Sequence, residues 1–164
     1  MVKIGKIIIG GSSMLISDTV IFPKLTHIRE DMDMSQKEMA KILKVSQATY
    51  SRWETGKEII PLSKLNAYCN YTKHSMDYVC GLISNEYDYI KNYYELDKNI
   101  IGSRIQLFRM QFGLFQYQLA EFLNTTQSTI SAYENGKTLI LTAFIYQIAK
   151  EYNISMDYLC GRKK

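Results

Sequence analysis

Two stretches of this sequence decide its fold: SQKEMAKILKVSQATYSRWETGK at residues 35–57 and FQYQLAEFLNTTQSTISAYENGK at residues 115–137. Both follow the pattern Q-x-x-x-A-x-x-L, continue with a Ser/Thr-Gln pair and close with E-x-G-K, and they are offset by 80 residues. The same offset aligns residues 75–78 with residues 155–158, which both read SMDY. Agreement over this length at one fixed offset indicates an internal duplication, so we interpret the chain as two related domains.

Apolar residues recur every three or four positions in both halves, which is the spacing of amphipathic helices. Ser35, Ser46 and Thr126 are expected to cap helices, because their side-chain oxygens can accept from unpaired backbone N–H groups. Pro61 suits the first turn of a helix. A glycine follows the third helix of each half, where a left-handed backbone conformation is favoured. These glycines are Gly56 and Gly136. The sequence therefore predicts an all-α fold with helices at residues 23–32, 35–42, 46–54, 61–71, 75–81, 101–111, 115–122, 126–134, 141–151 and 155–160.

Several conspicuous residues are predicted to be structural. Trp53 and Tyr133 occupy the same position in the two halves and are expected in the core. Asp77 and Asp157 lie in the first turn of the last helices, where a carboxylate is expected to face the positive end of its own helix. The expected ion pairs are Arg29 with Glu54 and Arg109 with Glu134.

The motifs quoted above resemble those of the lambda-repressor/Cro (Xre-like) family of helix-turn-helix proteins, and the resemblance covers most of the chain. It implies two five-helix domains in tandem that bind double-stranded DNA, each with its third helix in the major groove. The residues that it places at base edges are Gln47, Ala48, Ser51, Arg52, Gln127, Ser128 and Ser131. The residues that it places at phosphates are Gln36, Thr49, Lys57, Gln116, Thr129 and Lys137.

The two halves carry different charges. Residues 22–82, copy one, hold nine basic and seven acidic residues, whereas residues 101–164, copy two, hold seven basic and four acidic ones. The excess in copy two comes from its tail, Arg162-Lys163-Lys164. A surplus of positive charge permits a nucleic-acid partner.

Copy two also lacks two polar residues of copy one. Ala132 stands at the position of Arg52, and Phe115 stands at the position of the capping Ser35. Two interpretations remain open: copy two binds DNA more weakly, or it serves assembly. Two unequal copies in one chain would act as a covalent pseudo-dimer on an asymmetric site, with half-sites about 34 Å apart.

The segments outside the copies are an N-terminal arm and a connector. Residues 1–21 contain the β-prone Ile4, Ile7, Ile8 and Ile9, which favours a short strand that pairs with another chain or packs on a domain and gives a homodimer. The alternatives are a disordered leader or a wrongly placed start. Residues 83–100 are acidic and rich in tyrosine at helix-like spacing, which predicts a helical connector. The second domain is the other candidate for a homodimer contact.

Composition narrows the function classes. The 164 residues are 46% hydrophobic with a net charge of +4, and none of the three cysteines forms a CxxC pair, so we expect a cytoplasmic globular protein with Cys80 and Cys160 as small core residues. No stretch approaches a membrane helix. We find no phosphate loop, nucleophile with a base, or metal cluster, so neither an enzyme nor a cofactor is expected. The sequence predicts a transcription regulator, more often a repressor in this family. The alternative is an antitoxin-like module that binds a protein partner.

Overall fold

The computed structural model of the chain describes residues 22–84 and 93–163, and within these ranges it contains ten helices and no strand. Copy one consists of α1 (Lys24–Asp31), α2 (Gln36–Ile42), α3 (Gln47–Glu54), α4 (Leu62–Thr72) and α5 (Met76–Val79). Copy two consists of α6 (Lys98–Gln111), α7 (Gln116–Phe122), α8 (Gln127–Glu134), α9 (Thr142–Tyr152) and α10 (Met156–Leu159). The all-α fold of two tandem five-helix units is confirmed.

Side-chain caps explain why the third helices begin where the sequence predicts. Ser46 accepts a hydrogen bond from the backbone N–H of Thr49 at 3.1 Å, and Thr126 accepts the equivalent bond from Thr129 at 3.2 Å. Each bond satisfies an N–H group that the first helical turn leaves unpaired. Ser35 caps α2 in the same way, with a bond from the Glu38 N–H at 3.2 Å.

Nine helices begin one residue after the predicted start, because the residue predicted first is the cap, and one helix begins earlier than predicted. Pro61 lies just before α4 with an extended ψ of 144°. It is the cap of the helix and not part of its first turn, and its carbonyl accepts the first N–H groups of the helix. The first helix of copy two begins at Lys98 instead of residue 101, since the Asp97 carboxylate caps the Asn99 N–H at 2.7 Å. Gly102 permits this longer helix to cross α8, where a Cβ atom would lie 2.3 Å from a backbone oxygen of Tyr133.

The arm and most of the connector cannot be compared with the prediction. Residues 1–21 and 85–92 lie outside the described residues. Of the rest of the predicted helical connector, residues 98–100 belong to α6, whereas residues 83–84 and 93–97 are not helical.

One hydrophobic core runs through both copies. Trp53 and Tyr133 are buried in it, as the sequence predicts, and so are Cys80 and Cys160. The rings of Phe22 and Tyr146 meet edge to face across the two copies, with centroids 5.2 Å apart. A core that spans the duplication makes the two copies pack as a unit.

A pair of buried aspartates joins the copies. The Asp77 carboxylate accepts hydrogen bonds from the hydroxyl of Ser155 and, at 2.6 Å, from the N–H of Met156 at the start of α10. The Asp157 carboxylate accepts the N–H of Asp77 in α5 at 2.9 Å. Both acids lie in the first turn of their own helices, as the sequence predicts, and each one also reaches across to the other copy, which the sequence does not predict. The contact is close to reciprocal, as in a two-fold dimer.

Arg162 extends this junction. Its guanidinium is buried, and its Nε donates to Asp157 at 2.8 Å while its Nη1 donates to the side-chain oxygens of Asn66 and Asn70. The amides of both asparagines donate to the Tyr94 carbonyl of the connector, at 2.8 and 2.7 Å. Arg162 is thus an internal cation, so it does not contribute to the positive surface of the tail.

Asp157→Asn should lower the free energy of unfolding by about 3 kcal/mol at pH 7, because Arg162 would be left buried without its counter-charge. Urea unfolding followed by circular dichroism measures this change.

The matched control is Asp77→Asn, which keeps an oxygen for the Met156 N–H and should lose less. Burial raises the pKa of Asp77, and the neighbouring Asp157 raises it further, against the hydrogen bond from Ser155. An acid whose folded pKa is raised favours folding less as pH rises, so the loss in Asp77→Asn should shrink from pH 4 to pH 7. A larger loss in Asp77→Asn than in Asp157→Asn would contradict the assignment of Arg162.

Candidate nucleic-acid interface

The third helix of copy one has one side buried in the core and one side exposed to solvent. Tyr50, Trp53 and Glu54 point inward and are buried, whereas Gln47 and Ala48 in the first turn are exposed. The helix has eight residues and is therefore about 12 Å long. Its N-terminal end thus presents a polar amide and a methyl group to solvent on a rigid support.

The third helix of copy two repeats this arrangement. Ile130, Tyr133 and Glu134 are buried, and Gln127 and Ser128 are exposed. Both candidate recognition helices are therefore accessible at their N-terminal ends. Contacts that join the copies run through α4, α5, α9 and α10, away from these exposed first turns.

A buried carboxylate fixes the third helix of copy one to the two helices before it. Glu54 accepts two hydrogen bonds from the Arg29 guanidinium of α1, at 2.7 and 3.2 Å, and one from the Gln36 amide of α2 at 2.7 Å. Arg29 also donates to the Met34 carbonyl in the α1–α2 turn at 2.7 Å. A bidentate pair of this kind fixes orientation as well as distance, so α1, the turn, α2 and α3 are held in one geometry.

Copy two contains the same set of hydrogen bonds. Glu134 accepts bonds from Arg109 at 2.6 and 3.1 Å and from Gln116 at 2.8 Å, and Arg109 donates to the Leu114 carbonyl at 2.8 Å. The ion pairs expected from the sequence are therefore present in both copies. Gln116 and its counterpart in copy one were expected at phosphates only, and their structural bond was not foreseen.

The hydrogen bonds to Glu54 also change the pKa of its carboxyl group. Burial alone would raise the pKa of Glu54, but the hydrogen bonds from Arg29 and Gln36 outweigh burial and hold that pKa below its usual range. The carboxylate form is thereby the stable one in the folded protein.

The remaining residues expected at base edges differ in their exposure and in their hydrogen-bond partners. Ser51 and Ser131 are half-buried one turn into their helices. The Ser131 carbonyl and hydroxyl accept from the Asn135 amide at 2.7 and 3.3 Å. Arg52 is exposed and pairs with Glu58 at 2.9 Å, with both side chains about half accessible. An exposed pair of this kind is worth at most about 1 kcal/mol, so Arg52 can exchange its partner readily.

The residues expected at phosphates lie around the same helix ends. Lys57 and Lys137 are exposed. The hydroxyls of Thr49 and Thr129 are half-buried and bond to the capping side chains, at 2.9 Å to Ser46 in copy one and at 2.8 Å in copy two. Each Gln amide has two hydrogens, so Gln36 retains a second one beside its bond to Glu54.

Sequence reasoning missed a group of lysines on α2. Lys37 and Lys41 are exposed and line one surface depression together with Gln47. Lys44, just after α2, is exposed as well. The signal was available in the aligned copies, because the equivalent residues of copy two carry no positive charge; they are Tyr117, Glu121 and Asn124.

Neither a candidate metal site nor a membrane-spanning helix occurs in the described ranges. Residues 22–84 and 93–163 contain no group of three or more His, Cys, Asp or Glu side chains placed to hold a metal ion. None of the ten helices is both long and apolar enough to cross a membrane.

Comparison with known proteins gives concordant matches. The sequence profile of the helix-turn-helix family matches the chain twice, over residues 25–79 and 105–159. A competence pilus inhibition repressor from Acinetobacter baylyi is 36% identical over 59 residues, which are 36% of this chain and 54% of that protein. The match thus spans about half the length of this relative. The crystal structure of a hypothetical transcription factor from Neisseria is 21% identical with a TM-score of 0.36, over 43% of this chain and 87% of that one.

Glu54→Gln should lower the free energy of unfolding by about 2 kcal/mol at pH 7, because Arg29 would be left largely buried with only the exposed Glu30 as its anionic partner. An acid with a lowered folded pKa stabilises the fold above its unfolded pKa, and this contribution is lost as pH falls through the folded value. The difference between parent and variant should therefore be smaller at pH 4 than at pH 7 in urea titrations.

Glu58→Gln is the matched control. Glu58 is the exposed partner of Arg52 and lies four residues after the end of α3. We expect a loss of at most about 1 kcal/mol there. Equal losses in the two variants would contradict the anchoring role of Glu54.

Proposed function

Since the chain belongs to the helix-turn-helix family of the lambda-repressor/Cro type, with a family match in each copy, we propose that it is a sequence-specific regulator of transcription that binds double-stranded DNA. The observation that carries this proposal is the exposed polar first turn of α3 on a buried support. A helix of this size fits the major groove, where each base pair displays a distinct set of donors and acceptors.

In this proposal, α3 reads base edges through Gln47, Ala48 and Ser51, with Arg52 one turn after Ala48. The Gln47 amide donates and accepts at once, so it can pair with adenine, and the Ala48 methyl can contact the methyl group of thymine. Arg52 can leave Glu58 for a guanine or a phosphate. Each good base contact contributes about 1–3 kcal/mol of discrimination.

Phosphate contacts set the position of the helix in the groove. Gln36 would grip the backbone at the start of α2, together with the N–H groups of that helix end. Lys57 follows α3, while Lys37 and Lys41 lie beside Gln47 and add positive charge along the same surface. Such contacts carry most of the affinity and little of the sequence preference.

We propose copy one as the principal DNA reader and copy two as the weaker one. Gln127, Ser128 and Ser131 repeat the polar first turn, but Ala132 replaces the arginine of copy one. The α7 helix also lacks the lysines of α2. With less positive charge near α8, counterion release contributes less to binding by copy two.

The buried junction makes the two copies one covalent pseudo-dimer. A homodimer of single-domain proteins reads two like half-sites, whereas two unequal copies suit an asymmetric site. We propose repression by occupancy of a promoter. The name of the Acinetobacter baylyi relative, a repressor, supports this choice over activation.

Gln47→Ala should weaken binding to the preferred DNA about tenfold and relax the preference at one base pair. The slope of log affinity against log salt should stay unchanged, because no phosphate contact is lost. Fluorescence anisotropy with a DNA selected from random sequences, and with a scrambled DNA, measures both quantities.

Lys57→Ala is the paired variant with the opposite signature. It should weaken binding to selected and scrambled DNA alike, and it should reduce the salt slope by about one. If both variants bound every DNA as the parent does, α3 would not be the reading helix.

Gln127→Ala tests the ranking of the copies against Gln47→Ala. We expect a loss below about threefold for the variant in copy two, since that copy contributes less of the specific binding energy. Footprints of the parent and of each variant on the selected DNA identify the half-site affected. A larger loss for Gln127→Ala would reverse the ranking of the two copies.

A further inference from the structure

Copy two presents a patch of large apolar side chains where α6 meets α7. We call it the α6–α7 corner, and its members lie within eleven residues of chain across one tight turn. They are strongly exposed: Leu107 51%, Met110 63%, Phe112 49%, Phe115 64% and Tyr117 54%. Single exposed apolar residues are ordinary, but five large ones within eleven residues of chain indicate an interaction surface.

Copy one acts as an internal reference for this corner. The residues at the same positions are His27, Glu30, Met32, Ser35 and Lys37. The two copies share the helix order and the carboxylate network, so the fold itself does not require apolar side chains at the corner. The difference therefore reflects a role that copy two has and copy one lacks.

Phe115 in the corner costs the start of α7 a stabilising cap. Ser35 caps α2 with its hydroxyl, and a phenylalanine at that position forgoes the bond, at about 1 kcal/mol. Only the Gln118 side chain, which accepts the Phe115 N–H at 2.8 Å, remains of the cap. A local sacrifice of stability that no neighbour in the fold requires is typical of a functional surface.

The corner is also preformed. The rings of Phe115 and Tyr117 stack with centroids 5.7 Å apart and an interplanar angle of 10°. Phe112 packs edge to face on Tyr152 at 4.8 Å and lies 5.1 Å from Phe108. Aromatic side chains that are already held in place lose little entropy on binding.

The charge around the α6–α7 corner and its exposed area indicate which partner can bind there. From Ile105 to Ala120 the only charged residue is Arg109, and it is paired with Glu134. Two identical corners can therefore meet without like-charge repulsion. The five side chains expose on the order of 600 Å² of surface. Self-association about a two-fold axis would bury roughly twice that area, which is the lower limit for a stable dimer.

We propose that the α6–α7 corner is a homodimer interface that takes the same corner of a second chain. Gln116 lies between two residues of the corner, so the dimer restricts access of phosphate to the start of α7, in keeping with copy two as the weaker reader. The basic surface of α2 in copy one stays open in each chain. Copy two thus joins two chains, and copy one of each chain remains the principal DNA reader.

The triple variant Met110→Glu/Phe115→Ser/Tyr117→Lys tests this interface, because it installs the residues that copy one carries in the same fold. Sedimentation equilibrium of the full chain without DNA should give twice the 19.0 kDa of one chain for the parent. The dissociation constant should be about micromolar and rise at least about 100-fold in the variant. The matched control is Tyr93→Ser, which removes an aromatic residue, 70% exposed, outside the corner; it should dimerise as the parent does.

Each other outcome overturns the proposal. A parent that is monomeric up to about 100 μM, which is far above the expected constant, has no such interface. A triple variant that remains dimeric with a parent-like circular dichroism spectrum places the contact elsewhere, for example on residues 1–21. A parent that stays monomeric and floats with phosphatidylcholine vesicles has a lipid-facing corner instead.

A variant that unfolds is replaced by Met110→Glu alone, which leaves the turn untouched and should still weaken the dimer about tenfold. All these measurements are made without DNA. They can therefore fail while the Gln47 and Lys57 variants behave as expected, and the reverse holds as well.

Discussion

Glu54 accepts hydrogen bonds from Arg29 of α1 and Gln36 of α2 while it stands at the end of α3, and Glu134 does the same in copy two. These helices are only seven to fourteen residues long, and helices of this length are marginal in isolation. Their mutual angles therefore depend on tertiary contacts. A buried charge tolerates few alternative arrangements, because any arrangement that separates the pair leaves an uncompensated ion.

The same network connects stability with recognition. Gln36 bonds to Glu54 and lies at the start of α2, where we propose that it grips a phosphate. Trp53, next to Glu54 in α3, is buried, and this side of the helix is held in the core while Gln47 stays in solvent. A recognition helix that is fixed before it meets DNA loses little conformational entropy on binding.

The junction between the copies adds a second constraint. Asp77 and Asp157 each accept a backbone N–H group from the opposite copy, and the buried Arg162 pairs with Asp157. With this pseudo-dimer contact inside one chain, the two copies are free to diverge on their outer surfaces. Copy one has lysines on α2, whereas copy two has an apolar corner that includes Tyr117 at the position of Lys37. This divergence is the basis of the division between reading and assembly that we propose.

The sequence by itself determined the helices, their caps and the duplication, because these follow from periodicity, local hydrogen bonding and a fixed offset. It also gave the Arg29–Glu54 pair and the exposed first turn of α3, since the motif repeats in both copies. Tertiary structure alone decided where Asp77 and Arg162 point, as partners 78 to 96 residues away in the chain cannot be inferred from local spacing. It likewise decided that the apolar residues from Leu107 to Tyr117 remain uncovered, because helical periodicity does not distinguish a face in the core from a face in solvent.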